Sequence, residues 1–288
     1  METLMTVAEL KERMDSGART VLLDVRWVLG DPHGRSHYLA AHLPGAVFVD
    51  LATELAGPAD ASRGRHPLPT REQFQASVRS WGVRNGDTVV AYDNSGSMAA
   101  ARAWWMLRNA GISSVRLLDG GLAAWQEAGF DVESGEVVAE PGDVELADGA
   151  MPAIGAAEAA GWSRRGLLLD ARAGERYRGD IEPVDPRAGH IPGALSAPTS
   201  ENLAADGRFL PADALRERFA ALGVGAAAPT AVYCGSGVTA AHQIAALEIA
   251  GFPAVLYPGS FSEWSNNPGN SVVTGPEPDG GTAGNGEG

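Results

Sequence analysis

The chain repeats itself, and that duplication limits its fold more than any other feature. Leu22-Leu23-Asp24-Val25-Arg26 returns as Leu168-Leu169-Asp170-Ala171-Arg172, and His42-Leu43-Pro44-Gly45-Ala46 returns as His190-Ile191-Pro192-Gly193-Ala194. Val90-Ala91-Tyr92-Asp93 is echoed by Ala231-Val232-Tyr233-Cys234, each ahead of a Gly/Ser-rich loop and an alanine-rich stretch. Gly120-Gly121-Leu122-Ala123-Ala124-Trp125 is echoed by Gly259-Ser260-Phe261-Ser262-Glu263-Trp264. The four landmarks keep one order at separations of 146, 148, 141 and 139 positions. Constant order at nearly constant spacing means one domain copied, with loops lengthened or shortened afterwards. The length of 288 residues suits two domains of ordinary size.

Within each copy, short β-branched runs alternate with stretches of helical spacing. Thr20–Asp24, Ala46–Val49, Thr88–Tyr92 and Val115–Leu118 read as buried strands, and Arg71–Trp81 and Ala99–Ala110 as helices. The second copy gives strands at Gly166–Asp170, Ala231–Tyr233 and Ala254–Tyr257, and helices at Ala212–Leu222 and Thr239–Ala250. Gly111 and Gly251 stand where a helix C-cap wants a glycine. This alternation predicts an α/β fold in which each domain is a small parallel sheet with helices on both faces. The expected layout is a first domain over 1–133, a Gly/Pro/acid-rich linker over 134–150, a second domain over 151–273 and a disordered tail over 274–288.

Charge and cysteine usage narrow the chemistry. Lys and Arg number 22 against 36 Asp and Glu, a formal charge of -14. Such a surface repels phosphate backbones and anionic lipid heads, which argues against nucleic acid and membranes as partners. No apolar run is long enough to span a bilayer, and the first residues do not read as a secretory signal. A cytoplasmic location fits, and it keeps a thiol reduced. The single cysteine, Cys234, excludes an intrachain disulfide, a CxxC pair and multi-thiolate zinc sites, and the six histidines form no HExxH motif.

Cys234 has a distinctive setting. It ends an apolar strand, and Gly235-Ser236-Gly237-Val238 then leads into a helix starting near Thr239. Glycines in this turn allow backbone N–H groups to point inward as an anion nest, and the helix N-terminus adds its dipole. Both favour a thiolate, the nucleophilic form of cysteine. A cysteine-dependent phosphatase shares the strand–Cys–helix layout but needs an arginine six residues on, where this chain has Ala240.

Together, the Asp-x-Arg strand ends, the His-(Leu/Ile)-Pro-Gly-Ala turns, the cysteine loop and the Gly-(Gly/Ser)-x-x-x-Trp segments resemble the rhodanese family of sulfurtransferases. The resemblance covers everything but linker and tail. It implies an N-terminal copy without a nucleophile, with Asp93 at that position, and an active C-terminal copy. The CGSGVT loop over 234–239 resembles the 3-mercaptopyruvate sulfurtransferase branch, since thiosulfate-using rhodaneses have basic residues where this chain has Gly235 and Ser236. A sulfonate-bearing dianion gains more from loop cations than a monoanionic carboxylate does.

The resemblance assigns catalytic roles to Cys234, His66 and Asp50, the last two coming from the N-terminal domain. It assigns donor binding to Arg176 and to the loop residues Gly235, Ser236, Gly237, Val238 and Thr239. A second family arginine falls where this chain has Asp185, leaving Arg187 as the nearest candidate. The implied reaction moves sulfur from a small anionic donor, mercaptopyruvate or thiosulfate, through a Cys234 persulfide to cyanide, a small thiol or a protein dithiol. It needs no metal or organic cofactor. Single rhodanese copies lacking the cysteine often serve as binding modules, and the intact Cys234 loop argues against that role for the whole chain. His42 and His190 recur in both copies and read as structural, as do the two Asp-x-Arg pairs. His242 reads as packing, and Trp104, Trp105, Trp125 and Trp264 as core and interface.

Overall fold

The computed structural model describes residues 2–280. In the first domain the strands are β1 (Leu4–Met5), β2 (Thr20–Asp24), β3 (Val47–Phe48), β4 (Thr88–Tyr92) and β5 (Val115–Leu118). They form one parallel sheet in the order β1-β5-β4-β2-β3. Its helices are α1 (Val7–Asp15), α2 (Gly34–Ala40), α3 (Leu51–Glu54), α4 (Arg71–Ser80), α5 (Ala100–Asn109) and α6 (Gly121–Glu127). The second domain has β6 (Leu167–Asp170), β7 (Ala194–Ser196), β8 (Thr230–Tyr233) and β9 (Ala254–Leu256), parallel in the order β7-β6-β8-β9. Around it lie α7 (Ala156–Ala159), α8 (Gly174–Arg178), α9 (Ala212–Ala221), α10 (Thr239–Ile249) and α11 (Ser260–Asn266). None of these helices is long and apolar enough to cross a membrane.

The expected strands and helices appear within a residue or two of their predicted ends. β1 and β7 were not foreseen, because two- and three-residue edge strands are too short to show a period. Central β4 and β8 are buried along their whole length, as strands covered on both faces must be.

The two domains share a core. One cluster runs from Leu23, Ala91 and Trp104 of the first domain to Val232, Ile244 and Leu247 of the second, with α5 packed on α10. The outer face of each sheet has its own cluster, around Leu22 and Trp125 in one domain and Leu168 and Trp264 in the other. Burial of α5 and α10 on nearly all sides explains their alanines, which permit close helix–sheet and helix–helix approach.

The repeated polar landmarks do the same work twice. Asp24 and Arg26 form a buried ion pair, 2.7 Å at its closest, as do Asp170 and Arg172 at 2.6 Å. His42 Nδ1 meets the carbonyl of Tyr38 and stacks on its ring, and His190 does the same with Tyr177. Tyr92 and Tyr233 each accept a backbone N–H at the neighbouring turn, from Leu43 and Ile191. His242 is buried, stacked on Phe209 and bonded to Thr199, and burial pushes its pKa down to about 3.

Two expectations from composition need correction. The 134–150 segment is a strap fixed along the first domain: Gly142 N–H donates to Arg79, Val144 N–H to Val83 and Ala147 N–H to Ala110, while Val144 and Leu146 are buried. The tail is not disordered from 274. Gly275 N–H donates to Arg178 O, Gly193 N–H to Pro278 O, and the carbonyls of Glu277 and Pro278 lie 3.2 Å from His190 Nε2. A polar segment needs no apolar side chains to dock where buried groups still require hydrogen bonds. Residues 281–288 of the expected tail lie outside the described residues.

Candidate active site

Cys234 follows the last residue of β8, at the carboxyl edge of its sheet, where open α/β sheets place their ligands. Cys234 is 2% exposed and lines a cavity of about 260 Å³. Gly235, Ser236, Val238, Thr239, Arg172 and Arg176 of the second domain line it, with Trp27, Leu29, Arg65 and Met98 of the first. A wider cleft of about 510 Å³ between α1 and α6 has no cysteine or histidine in its lining.

The loop is shaped around the sulfur. Gly237 N–H donates to Cys234 Sγ at 3.1 Å, and Gly237 sits at φ +77°, where a side chain would also run into the Pro258 carbonyl. Ser260 Oγ accepts the Cys234 N–H, and the Cys234 carbonyl accepts from Phe261. The degenerate copy shows what such a loop binds. There Asp93 places its own carboxylate in the nest, accepting the N–H groups of Ser95 and Ser97 on Oδ1 and of Ala99 and Ala100 on Oδ2, all within 3.0 Å. The first copy's anion nest is therefore filled from within, which explains how that loop stays folded without a nucleophile or substrate.

His66 reaches the loop across the domain boundary. Its Nδ1 lies 2.8 Å from Ser236 Oγ, and its ring packs edge-on to Trp27. Burial, then the charges of Arg102 and Arg65, push its pKa down to about 4. The ring is neutral at physiological pH and can accept the Ser236 hydroxyl proton. Asp50 does not join it. It caps α3, accepting the Ala52 N–H at 2.9 Å, and makes no hydrogen bond to His66 or Cys234 among the described residues. Of the expected Cys–His–Asp set, the structure brings His66 to Ser236 in the cysteine loop and leaves Asp50 without a hydrogen bond to either His66 or Cys234 among the described residues.

Arg176 lines the cavity beside Gly235. Arg187 does not. Its guanidinium donates to the carbonyls of Trp264, Ser265, Asn267 and Asn270 and ties down the end of α11. Four carbonyls converging beyond a helix end are a natural guanidinium site, so proximity in sequence misled the assignment.

Two arginines escaped the sequence reading. Arg65, beside His66, projects over the loop with Arg176: a side chain begun at Gly235 would meet Arg65 Nη2 at 3.1 Å and Arg176 Nη1 at 3.4 Å. The loop lacks basic residues, yet the cavity has guanidinium groups from both domains. Arg102, on α5, is completely buried and donates only to carbonyls, those of Leu55, His66 and Gly237. Burial lowers its pKa to about 10, partly offset by attraction to Cys234, and it remains a cation. Only its place on the helix after the degenerate loop could have signalled it.

The carboxylates complete the picture. Arg65 pairs with Asp185, Asp185 with Arg176 at 3.1 Å, Arg176 with Glu182 at 2.6 Å, Glu182 with Arg172 at 3.3 Å, and Arg172 with Asp170. Three cations alternate with three anions, so this wall of the cavity is neutral. Arg102 stands outside the chain, with no acidic partner among the described residues.

Comparison with known proteins agrees with this geometry. The Rhodanese-like domain model matches twice, over residues 6–128 and 155–267. SseB of Mycobacterium tuberculosis, named provisionally as a thiosulfate sulfurtransferase, is 47% identical over 95% of this chain and 98% of its own. A Pseudomonas aeruginosa protein, named provisionally as a 3-mercaptopyruvate sulfurtransferase, is 46% identical over 94% of this chain and 98% of its own. The crystal structure of Escherichia coli SseA, a 3-mercaptopyruvate sulfurtransferase, superposes with a TM-score of 0.80 at 32% identity, covering 91% of this chain and 99% of SseA. Two matched copies of one domain, spanning most of the sequence, leave a single conclusion: the chain belongs to the rhodanese family.

Proposed function

We propose that the protein is a sulfurtransferase that takes sulfur from 3-mercaptopyruvate and passes it to a thiophilic acceptor through a persulfide on Cys234. The observation that carries this reading is the Gly237 N–H aimed at Cys234 Sγ in a cavity with Arg176 and Arg65 above it. The donor carboxylate binds at the arginines, where a planar guanidinium fork suits it, and its sulfur approaches Sγ. The Cys234 thiolate attacks that sulfur. The carbon–sulfur bond breaks, its electron pair leaves with the enolate of pyruvate, and the enolate takes up a proton.

Ser236, held by neutral His66, is the hydroxyl beside this centre, and it serves the proton traffic. The loop N–H and the Arg102 cation stabilise charge on the persulfide, as an oxyanion hole stabilises oxygen. An acceptor then attacks the outer sulfur and returns the thiolate: cyanide in an assay, a small thiol or a protein dithiol in a cell. We place the reaction in the cytoplasm, where the one thiol stays reduced.

Thiosulfate is the second donor in view, favoured by the pair of arginines over Gly235 and by the name of SseB. The test is a pair of initial-rate measurements with cyanide as acceptor, on one preparation at fixed ionic strength. Mercaptopyruvate is expected to give the larger kcat/KM, because the neutral charge network offers a dianion no surplus cation. A preference for thiosulfate would overturn the donor assignment and leave sulfur transfer standing.

A further inference from the structure

The charge network contains a carboxylate that resembles a substrate. Asp185 is buried, and the only hydrogen-bond partners of its carboxylate among the described residues are Arg65 and Arg176. Its neighbour Glu182 is held more firmly, by Arg172, Arg176 and the backbone N–H groups of Val184 and Asp185. Both arginines gripping Asp185 line the Cys234 cavity and converge over Gly235. Arg65 Nε is buried there with no partner.

We infer that Asp185 is a resident carboxylate in the donor's anion subsite, which an incoming donor must displace, and that it sets donor choice. This rests on the proposed donor chemistry. A buried carboxylate with two guanidinium partners and no backbone donors is the member of the network most easily exchanged for another carboxylate. Burial raises its pKa above the ordinary carboxylate value, as expected for a group whose charge is only partly repaid by its partners. When Asp185 occupies the arginines the wall is neutral, so a free anion competes with an internal one at very high local concentration. A carboxylate monoanion can replace Asp185 charge for charge. A dianion brings a second negative charge that nothing in the network offsets, and it is penalised further.

The test reads anion binding without turnover. Iodoacetamide alkylates Cys234, the sole thiol, and bound anions slow it. Pyruvate serves as the monoanionic probe and sulfate as the dianionic one, against wild type and Asp185→Asn, Asp185→Ala and Asp185→Glu.

Removing the charge is expected to tighten protection by pyruvate about tenfold, which is 1.4 kcal/mol, and protection by sulfate by more. Asp185→Glu, which keeps the charge, should stay near wild type. Unchanged or weaker protection in a folded Asn or Ala variant would overturn the inference, as would equal gains for the two probes. If neither the Asn nor the Ala variant folds, Asp185 belongs to the fold and the inference is wrong. Because no sulfur is transferred, failure here is separable from failure of the sulfurtransferase reading, which would appear as no persulfide on the wild-type protein.

Discussion

Changing Cys234 to Ser is expected to reduce sulfur transfer to the uncatalysed background with mercaptopyruvate and thiosulfate alike. A serine hydroxyl is a far weaker nucleophile than a thiolate at neutral pH and cannot hold a sulfane sulfur. No second thiol exists to take over. The fold should survive, since Ser fits the same space and its oxygen can accept the Gly237 N–H that Sγ accepts now. A stability change of about 1 kcal/mol is expected, the ordinary scale for a single substitution. Thiocyanate formation and a thermal melt on the same sample separate the two effects. Sulfur transfer by a folded Cys234→Ser protein would rule out the persulfide route.

Arg102→Met is expected to harm both stability and the reactivity of the cysteine. Methionine fills much of the volume but leaves the Leu55, His66 and Gly237 carbonyls without their donor, at about 1–3 kcal/mol for each buried group left unpaired. The second effect is electrostatic. Arg102 grips the carbonyl side of Gly237, whose N–H faces Sγ, so its charge lies one residue from the sulfur. Its other charged neighbours are few. Arg65, Arg172 and Arg176 are each tied to carboxylates, and His66 is neutral.

Without Arg102 the anionic sulfur loses its unneutralised cation, and alkylation of Cys234 at neutral pH should slow by about tenfold, equivalent to 1.4 kcal/mol. Arg102→Lys should recover much of the alkylation rate and less of the stability, because an ammonium keeps the charge but not the planar fork. Wild-type alkylation in a folded Met variant would show that the buried charge does not act on the sulfur.

The sequence made the duplication plain because four landmarks recur at near-constant spacing, and it made Cys234 plain because strand, glycine turn and helix adjoin in the chain. What it hid lies across the domain boundary. Arg102 and Arg65 belong to the copy that lacks a nucleophile, and the only cues nearby are indirect: the degenerate loop ahead of Arg102 and His66 beside Arg65. Asp50 and Arg187 failed for the opposite reason. Each has the right residue type at a plausible spacing, but local backbone groups, an N-cap in one case and four carbonyls in the other, claim the side chain first. The strap over 134–150 and the docked stretch 274–280 were misread because composition reports poor core formers and does not report docking by backbone hydrogen bonds. His66 was found only through resemblance, and its partner proved to be Ser236.

The central claim is that sulfur passes through Cys234, and intact-mass spectrometry tests it most directly. The protein is treated with mercaptopyruvate in the absence of acceptor, desalted and weighed. One added sulfur atom per chain is expected, lost on addition of cyanide with release of thiocyanate, and absent from Cys234→Ser. No added mass on the wild-type protein, or the same added mass on Cys234→Ser, would contradict the account.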